Sequence, residues 1–559
     1  MYYTYTYYTY IIYNNTYLYI SSYNIFFINY TDIYIYTCIQ ILSVQAYWQN
    51  KPSVHIFAFQ CSPLSTTQSI KYIFEAAKSF QEHSSDTLTV LLLDEVGLAE
   101  FSPDMPLKIF HYMLIDPSIA IVGLSNWTLD SSKMNRAICL QRPEPSDADI
   151  LLTSENIMKT TSETTEEVTP PATTTAPAPV AETLKKRTSK PKKGAAAPSV
   201  STPVTPSTQA VSSKWLQQLG RMYLYIYTHQ KELLQTSRDY IGMRDYYSML
   251  KYIKNKLTSS GDLSHIPTVT LVNAIARNFG GHTNSIPVLL PLFYEACFSD
   301  SKDMSQIALE TKVKSDKSYM TYLPPTTELI RDNLHESENI RNLMILSKNS
   351  NVINVIFGCA LVDATPGSVR CLVGSRFKDD LEEMHLIQQI NLVRQAMAEG
   401  KTCILVNNEN IYESLYDVLN QRYITQRDKE TGESKRFLRL AIGSRSQLCI
   451  VETGFKLIVV VEQAKAYESL DLPLLNRFEK QILSPMDVLA TSTLAVKLLS
   501  KLQQWCQLLH QETGLPSLAV IFVGFYEDTL SSLVLSLTNF CQVCATLTLL
   551  YLFIVGYYN

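Results

Sequence analysis

No stretch of the 559 residues reads GxxxxGK[ST]. The glycine-rich loop that wraps backbone amides around nucleotide phosphates is therefore missing wherever the rest of the pattern would place it. The eleven cysteines are scattered, and only Cys541 and Cys544 form a CxxC, with no second pair or nearby histidine to complete a zinc site. The dense Cys/His array of a RING is absent too. There is no secretory signal, since the start has neither a basic patch nor a clean apolar core, so reduced thiols in the cytosol are expected. Charge of one sign is also missing. The chain carries 48 Lys and Arg against 52 Asp and Glu, a balance that gives no electrostatic case for nucleic acid or a membrane surface.

What is present centres on residues 87–142. Thr89 to Leu93 is a short apolar run ending on Asp94 and Glu95. Its length fits a strand buried on both faces of a parallel sheet, and such sheets carry ligand chemistry at their strand ends. Asp94 suits Mg²⁺, directly or through water, and Glu95 suits polarising the water that attacks a γ-phosphate. This is a Walker B arrangement. An amphipathic helix is expected at 105–114, then a second buried strand from Ile119 to Leu124 that ends at Ser125 and Asn126. Asn126 takes the place of sensor 1, the polar residue that orients the attacking water in AAA+ ATPases. Arg136, in KMNRA, is placed for an arginine finger. The plain alternatives are a solvated acidic turn, a turn asparagine and a surface salt bridge. Order and spacing together favour the ATPase core.

The order strand, acid, helix, strand, arginine returns after Leu329. Asn342 to Leu346 is an apolar strand followed by Ser347-Lys348-Asn349-Ser350, where a P-loop would sit. Lys348 can reach β- and γ-phosphates there, or be an exposed turn lysine. TCILV (402–406) ends in Asn407-Asn408-Glu409-Asn410 and parallels LLLDEVGLAE with Asn407 in place of Asp94. Asn407 offers Mg²⁺ a carbonyl without charge. Glu409 is the candidate for water activation, or else an ordinary strand-end acid. KLIVVVEQ (456–463) matches IAIVGLSN and puts Gln463 where Asn126 stands. PLLNRFEK matches SKMNRA, aligning Asn476-Arg477 with Asn135-Arg136. The polar insertion 424–447 reads as a hairpin around Thr431-Gly432. This duplication implies two ATPase-like units in tandem. Chain order then implies that Arg477 faces the site of Asp94 and Glu95, while Arg136 serves a preceding unit. The competing partners of Arg477 are Glu479 and Asp471 at the surface.

QCSPLST (60–66), LLLDEVGLAEFSPDMPLK (91–108), GLSNWTLDSSKMNRA (123–137), GMRDYYSMLK (242–251), AIARNFGG (274–281), NENIYESLYDVLNQRY (408–423) and PLLNRFEK (473–480) closely resemble the mysterin family, giant AAA+ proteins that carry a RING and ligate ubiquitin. The resemblance runs from about Val54 to Asp528, apart from an insert near 160–213, and looks like the third and fourth AAA units of the mysterin core. It implies an α/β fold of two tandem AAA+-type units, each a parallel sheet flanked by helices with a helical lid, the first lacking its P-loop half. It implies ATP and Mg²⁺ as cofactors, and hydrolysis driving conformational change. Other AAA units of a longer chain and the ubiquitin machinery are the implied partners. The implied location is the cytosol, lipid droplet surfaces included. Ligase activity is implied only for the full-length family member. The alternative is a catalytically inactive AAA-like scaffold, or a partial gene product.

The remaining segments divide by composition. Residues 1–48 are a low-complexity Tyr/Thr/Ile run, read either as a degenerate strand or as sequence foreign to the fold. Residues 49–158 form the partial first unit and 159–213 a disordered Pro/Thr/Lys linker. Residues 214–325 are a helical lid and connector, and 326–500 the degenerate second unit. In 501–559 the tail is apolar. A misread exon or a buried segment fits it ahead of a membrane anchor, because Thr and Asn interrupt it and basic flanks are missing.

Overall fold

The computed structural model describes residues 8–12, 53–84, 86–115, 117–126, 129–135, 137–141, 144–158, 214–258, 265–299, 303–313, 317–336, 341–348, 352–363, 365–427, 434–514, 517–522, 524–526 and 528–538. Arg136, the linker 159–213, residues 539–559 with their CxxC, and all of 1–48 except Tyr8–Ile12 lie outside them.

The first sheet contains β1 (Tyr8–Ile12), β2 (Ser53–Gln60), β3 (Thr87–Asp94), β4 (Ala120–Ser125) and β5 (Ile138–Gln141), in the order β2-β3-β4-β1-β5. The apolar runs of β3 and β4 put them in the interior of the sheet, where they pair in parallel from Val90–Ala120 to Leu93–Gly123. The Walker-B-like strand therefore lies beside the sensor strand. The helix Thr67–His83 packs on β3 through Ile70, Phe74 and Ala77, and starts on a capping box between Thr66 and Ser69. Against the expectation of a segment apart from the fold, Tyr8–Ile12 fills the gap between β4 and β5. It runs antiparallel to both. Alternating aromatic and β-branched residues explain why it pairs as a strand. The expected helix over 105–114 is a 3₁₀ turn, Pro106–Ile109, running into the short helix Phe110–Met113.

A helical body follows, made of Asp147–Met158, Lys214–Leu234, Met243–Thr258, Thr268–Phe279 and Ser285–Phe298. Apolar residues three and four apart build its core, as the sequence predicts. Tyr223 and Tyr246 stack with ring centroids 4.5 Å apart at its centre. The Tyr246 hydroxyl lies 3.0 Å from that of Ser154.

The second sheet contains β6 (Asn342–Ser347), β7 (Val369–Val373), β8 (Thr402–Val406), β12 (Lys456–Glu462) and β13 (Phe478–Ile482), in the order β13-β6-β12-β8-β7. Every pair is parallel. Between β8 and β12 the polar insertion forms a separate antiparallel sheet of β9 (Ile424–Arg427), β10 (Ser434–Ile442) and β11 (Arg445–Ile450). Two strands escape the sequence reading. β7 carries Arg370 and Cys371 at the sheet edge, and β13 carries Glu479, Lys480 and Gln481, all buried. β13 is too polar to look like a buried strand, whereas β7 is a short edge strand in which only Leu372 is buried. Further on, the chain forms the short helix Leu518–Ile521. Leu98, just past Glu95, shares one apolar cluster with Trp215, Tyr416 and Phe478. That cluster joins the first unit, the helical body and one face of the second sheet.

Candidate functional site

β3 ends with Asp94, and the next residue, Glu95, turns the chain with φ 50°, ψ 42°. A side-chain-bearing residue in the left-handed region is uncommon, and such positions cluster at functional sites. The turn lifts the Glu95 carboxylate toward the tip of β4, where Asn126 Nδ2 donates to Glu95 Oε2 at 2.8 Å. The Glu95 amide donates to Asp94 Oδ1 at 2.9 Å. One strand further out, Gln60 stands level with Asp94. Its amide is 2% exposed and neither its oxygen nor its nitrogen has a hydrogen-bond partner among the described residues.

Two arginines of the second unit close over these acids. The short helix Leu472–Leu475 buries its leucines and leaves Arg477 just past its end. The Arg477 guanidinium donates to Glu95 Oε1 at 2.8 Å, to the Pro473 carbonyl at 2.6 Å and to Asn420 Oδ1 at 3.0 Å. It also lies 3.8 Å from the centre of the Tyr416 ring, a cation–π contact that stabilises a desolvated guanidinium. Arg477 pairs with neither Glu479 nor Asp471. Glu479 takes a forked bond from Arg277 at 2.8–3.2 Å, and Asp471 lies 3.7 Å from Arg238. Arg422 reaches the other acid: its Nη1 is 2.5 Å from Asp94 Oδ2 and 3.3 Å from Asp417 Oδ1. Burial pushes the carboxyls of Glu95 and Asp417 up to about 7, against the opposing pull of Arg477 on the first and Arg422 on the second. Desolvation outweighs the ion pairs because Glu95 is almost wholly enclosed.

The second unit's own strand ends differ. Cys61 donates its amide to the carbonyl of Asp94, and Gly374 donates its amide to that of Val406, so these two strand-end positions correspond. The next residue in each case is left-handed, Glu95 at φ 50° and Asn407 at φ 47°. By this register Asn407 stands at the position of Glu95, one residue on from the alignment read in the sequence. Val406 then stands at that of Asp94. Glu409 is turned aside into an ion pair with Lys465 at 2.8 Å. Lys348 and Gln463 both line a cleft of about 360 Å³ at the carboxyl ends of β6 and β12, with Thr283, Ser484 and Asp487 also on its walls.

Asp94, Glu95, Asn126 and Arg477 are thus together at one place, Lys348 and Gln463 at another, while Glu409 is tied to Lys465. Arg422, Asn420 and Tyr416 belong to the first group and were not singled out in the sequence. Gln421 is left-handed at φ 54° and throws Arg422 away from its helix, a turn that nothing in the local sequence announces. Asp94 offers a hard cation a buried carboxylate with the Gln60 amide, which lacks a partner among the described residues, alongside, and the Arg422 guanidinium occupies that carboxylate. A glycine-rich phosphate cradle is not found among the described residues of either unit.

Two segments match family models. Residues 39–149 and 331–489 each match a model described as an RNF213 AAA domain. E3 ubiquitin-protein ligase RNF213 of Mus musculus is 27% identical over 520 residues, 89% of this chain and 8% of that protein. E3 ubiquitin-protein ligase rnf213-beta of Danio rerio is 28% identical over 505 residues, 86% of this chain. The Homo sapiens RNF213 ligase is 27% identical over 510 residues. The chain spans about 8% of the length of these relatives.

Proposed function

Since the chain belongs to the RNF213 (mysterin) family, we propose that it is a pair of AAA+ units whose first site is completed by the second. In this reading ATP hydrolysis at that joint site drives conformational change within a ubiquitin ligase. The observation that carries it is the 2.8 Å ion pair between Glu95 and Arg477, residues from different units. Asp94 would hold Mg²⁺, which when bound supplies charge neutralisation for the transferring phosphoryl group. Glu95 orients and deprotonates water, helped by the Asn126 amide that fixes its carboxylate. A carboxyl pushed up toward neutrality by burial suits that role. Arg477 supplies a fixed charge with the forked geometry that fits phosphate oxygens. The second unit holds nucleotide by Lys348 and Gln463 without turning it over, because its strand end carries Val406 and Asn407 in place of acids.

The test is ATP binding and single-turnover hydrolysis by the protein and its Glu95→Gln and Arg477→Lys variants. Nucleotide should bind all three while turnover falls by roughly 10³-fold or more in each variant. Equal loss of binding and turnover would give these residues a structural role instead. A second reading, a scaffold without catalysis, is favoured by the absence of a phosphate cradle among the described residues. It predicts no nucleotide binding in any of the three. The ubiquitin machinery as partner, and a cytosolic or lipid-droplet setting, go with the first reading. Imaging and pull-down of the full-length protein would test them. Among the described residues no helix is long and apolar enough to cross a membrane.

A further inference from the structure

Arg422 has no place in the function just proposed, yet it makes a close contact at the first site. One nitrogen, Nη1, lies between two carboxylates: Asp94 of the first unit at 2.5 Å and Asp417 of the second at 3.3 Å. Asp94 and Asp417 are both buried, their side chains 8% and 6% exposed. The Asp417 oxygen is within ion-pair distance but forms no hydrogen bond. Arg422 is tethered close to Asp417, because its own amide donates to the Asp417 carbonyl at 3.2 Å. A short swing would bring the guanidinium fully onto Asp417 without exposing either charge unpaired.

We propose that Arg422 stands in for the metal at Asp94 while the units are docked, and passes to Asp417 when a divalent cation takes the Asp94 carboxylate. The inference rests on the reading of Asp94 as a metal ligand. It adds a coupling: loading the first site with metal breaks one of the two ion pairs that join the units among the described residues and leaves the other, Glu95 with Arg477, in place. The exchange is favourable only if the arginine keeps a partner, since an uncompensated buried charge is costly. Asp417 provides that partner from the arginine's own unit.

The test is a titration of the full chain with Mn²⁺ alone, read by the electron paramagnetic resonance of the free ion. Asp94→Asn defines the binding that belongs to this site. Arg422→Gln should tighten that binding about tenfold, by removing the competing cation. Asp417→Asn should weaken it severalfold in the parent and leave it unchanged in an Arg422→Gln background, because Asp417 acts only by receiving Arg422. Equal affinity in the parent and Arg422→Gln would overturn the exchange. So would an Asp417→Asn effect of the same size in both backgrounds, which marks simple through-space attraction. Should Arg422→Gln fail to fold, Arg422→Lys replaces it, with partial tightening expected from its poorer fork and no change overturning the idea. If no Asp94-dependent Mn²⁺ binding occurs in any variant, the metal role of Asp94 fails and this inference falls with it.

Discussion

Glu95 concentrates the chemistry of the molecule in one residue. It is left-handed, buried, bonded to Asn126 and paired with an arginine 382 positions away. Its carboxyl is pushed up to about 7 because burial outweighs Arg477, and this has a signed consequence. An acid whose folded value lies above its unfolded one takes up a proton on folding. Its contribution to stability is present below the ordinary carboxylate range and lost as pH rises through about 7. In the absence of divalent metal, urea unfolding should therefore show stability falling between pH 5 and pH 8, and Glu95→Gln should flatten that fall. An unchanged slope in Glu95→Gln would place the proton uptake elsewhere, Asp417 being the next candidate. Asp94, Glu95 and Asn126 were readable from the sequence because short apolar runs announce strand ends. Arg422 was not, since nothing local marks a lone arginine after a helix as reaching another unit.

At the level of elements, the helix Met243–Thr258 and strand β13 are joined by buried charge. Asp245 accepts from Lys480 Nζ at 3.0 Å and from Arg341 Nη1 at 2.5 Å. Its second oxygen accepts from the amide of Gly242 at 3.0 Å. Lys480 is 2% exposed, and burial holds its pKa below the usual lysine range despite Asp245. Asp245→Asn leaves the buried Lys480 and the half-buried Arg341 short of an anion and should cost roughly 3–5 kcal/mol, measured by denaturant unfolding. A loss under about 1 kcal/mol would mean that water reaches the pair. Gly242 shows a second constraint, because a Cβ there would lie 1.8 Å from Asn476 Nδ2, next to Arg477. Gly242→Ala should destabilise by roughly 1–3 kcal/mol and loosen Arg477 as well. Motifs around both sites, GMRDYYSMLK and PLLNRFEK, stand out in the sequence, but their meeting does not. β13 looks polar because its charges face partners on other elements, so period-two hydrophobicity never appears. β8 and β12, by contrast, carry unbroken apolar runs and were legible to within a residue. The one-residue shift at Asn407 could be seen only from the backbone, where the left-handed turn rather than the residue type marks the equivalent position.

For the whole molecule, the central claim is that two α/β units and the helical body between them form one connected structure whose first site is finished by the second unit. One apolar cluster runs from Leu98 through the helical body to Phe478, which gives the joint site a stiff frame. The sequence carried the duplication and the order of the units. It could not carry the filling of the gap between β4 and β5 by the antiparallel Tyr8–Ile12, because direction within a sheet leaves no local trace. The most direct measurement is a double-mutant cycle on unfolding free energy, using Glu95→Gln, Arg477→Gln and both together at pH 8. A buried, directly bonded pair should show a coupling of roughly 1–3 kcal/mol, the double variant losing less than the sum of the singles. Losses that add to within about 0.5 kcal/mol would mean that Glu95 and Arg477 do not meet in solution, and the joint site would be contradicted.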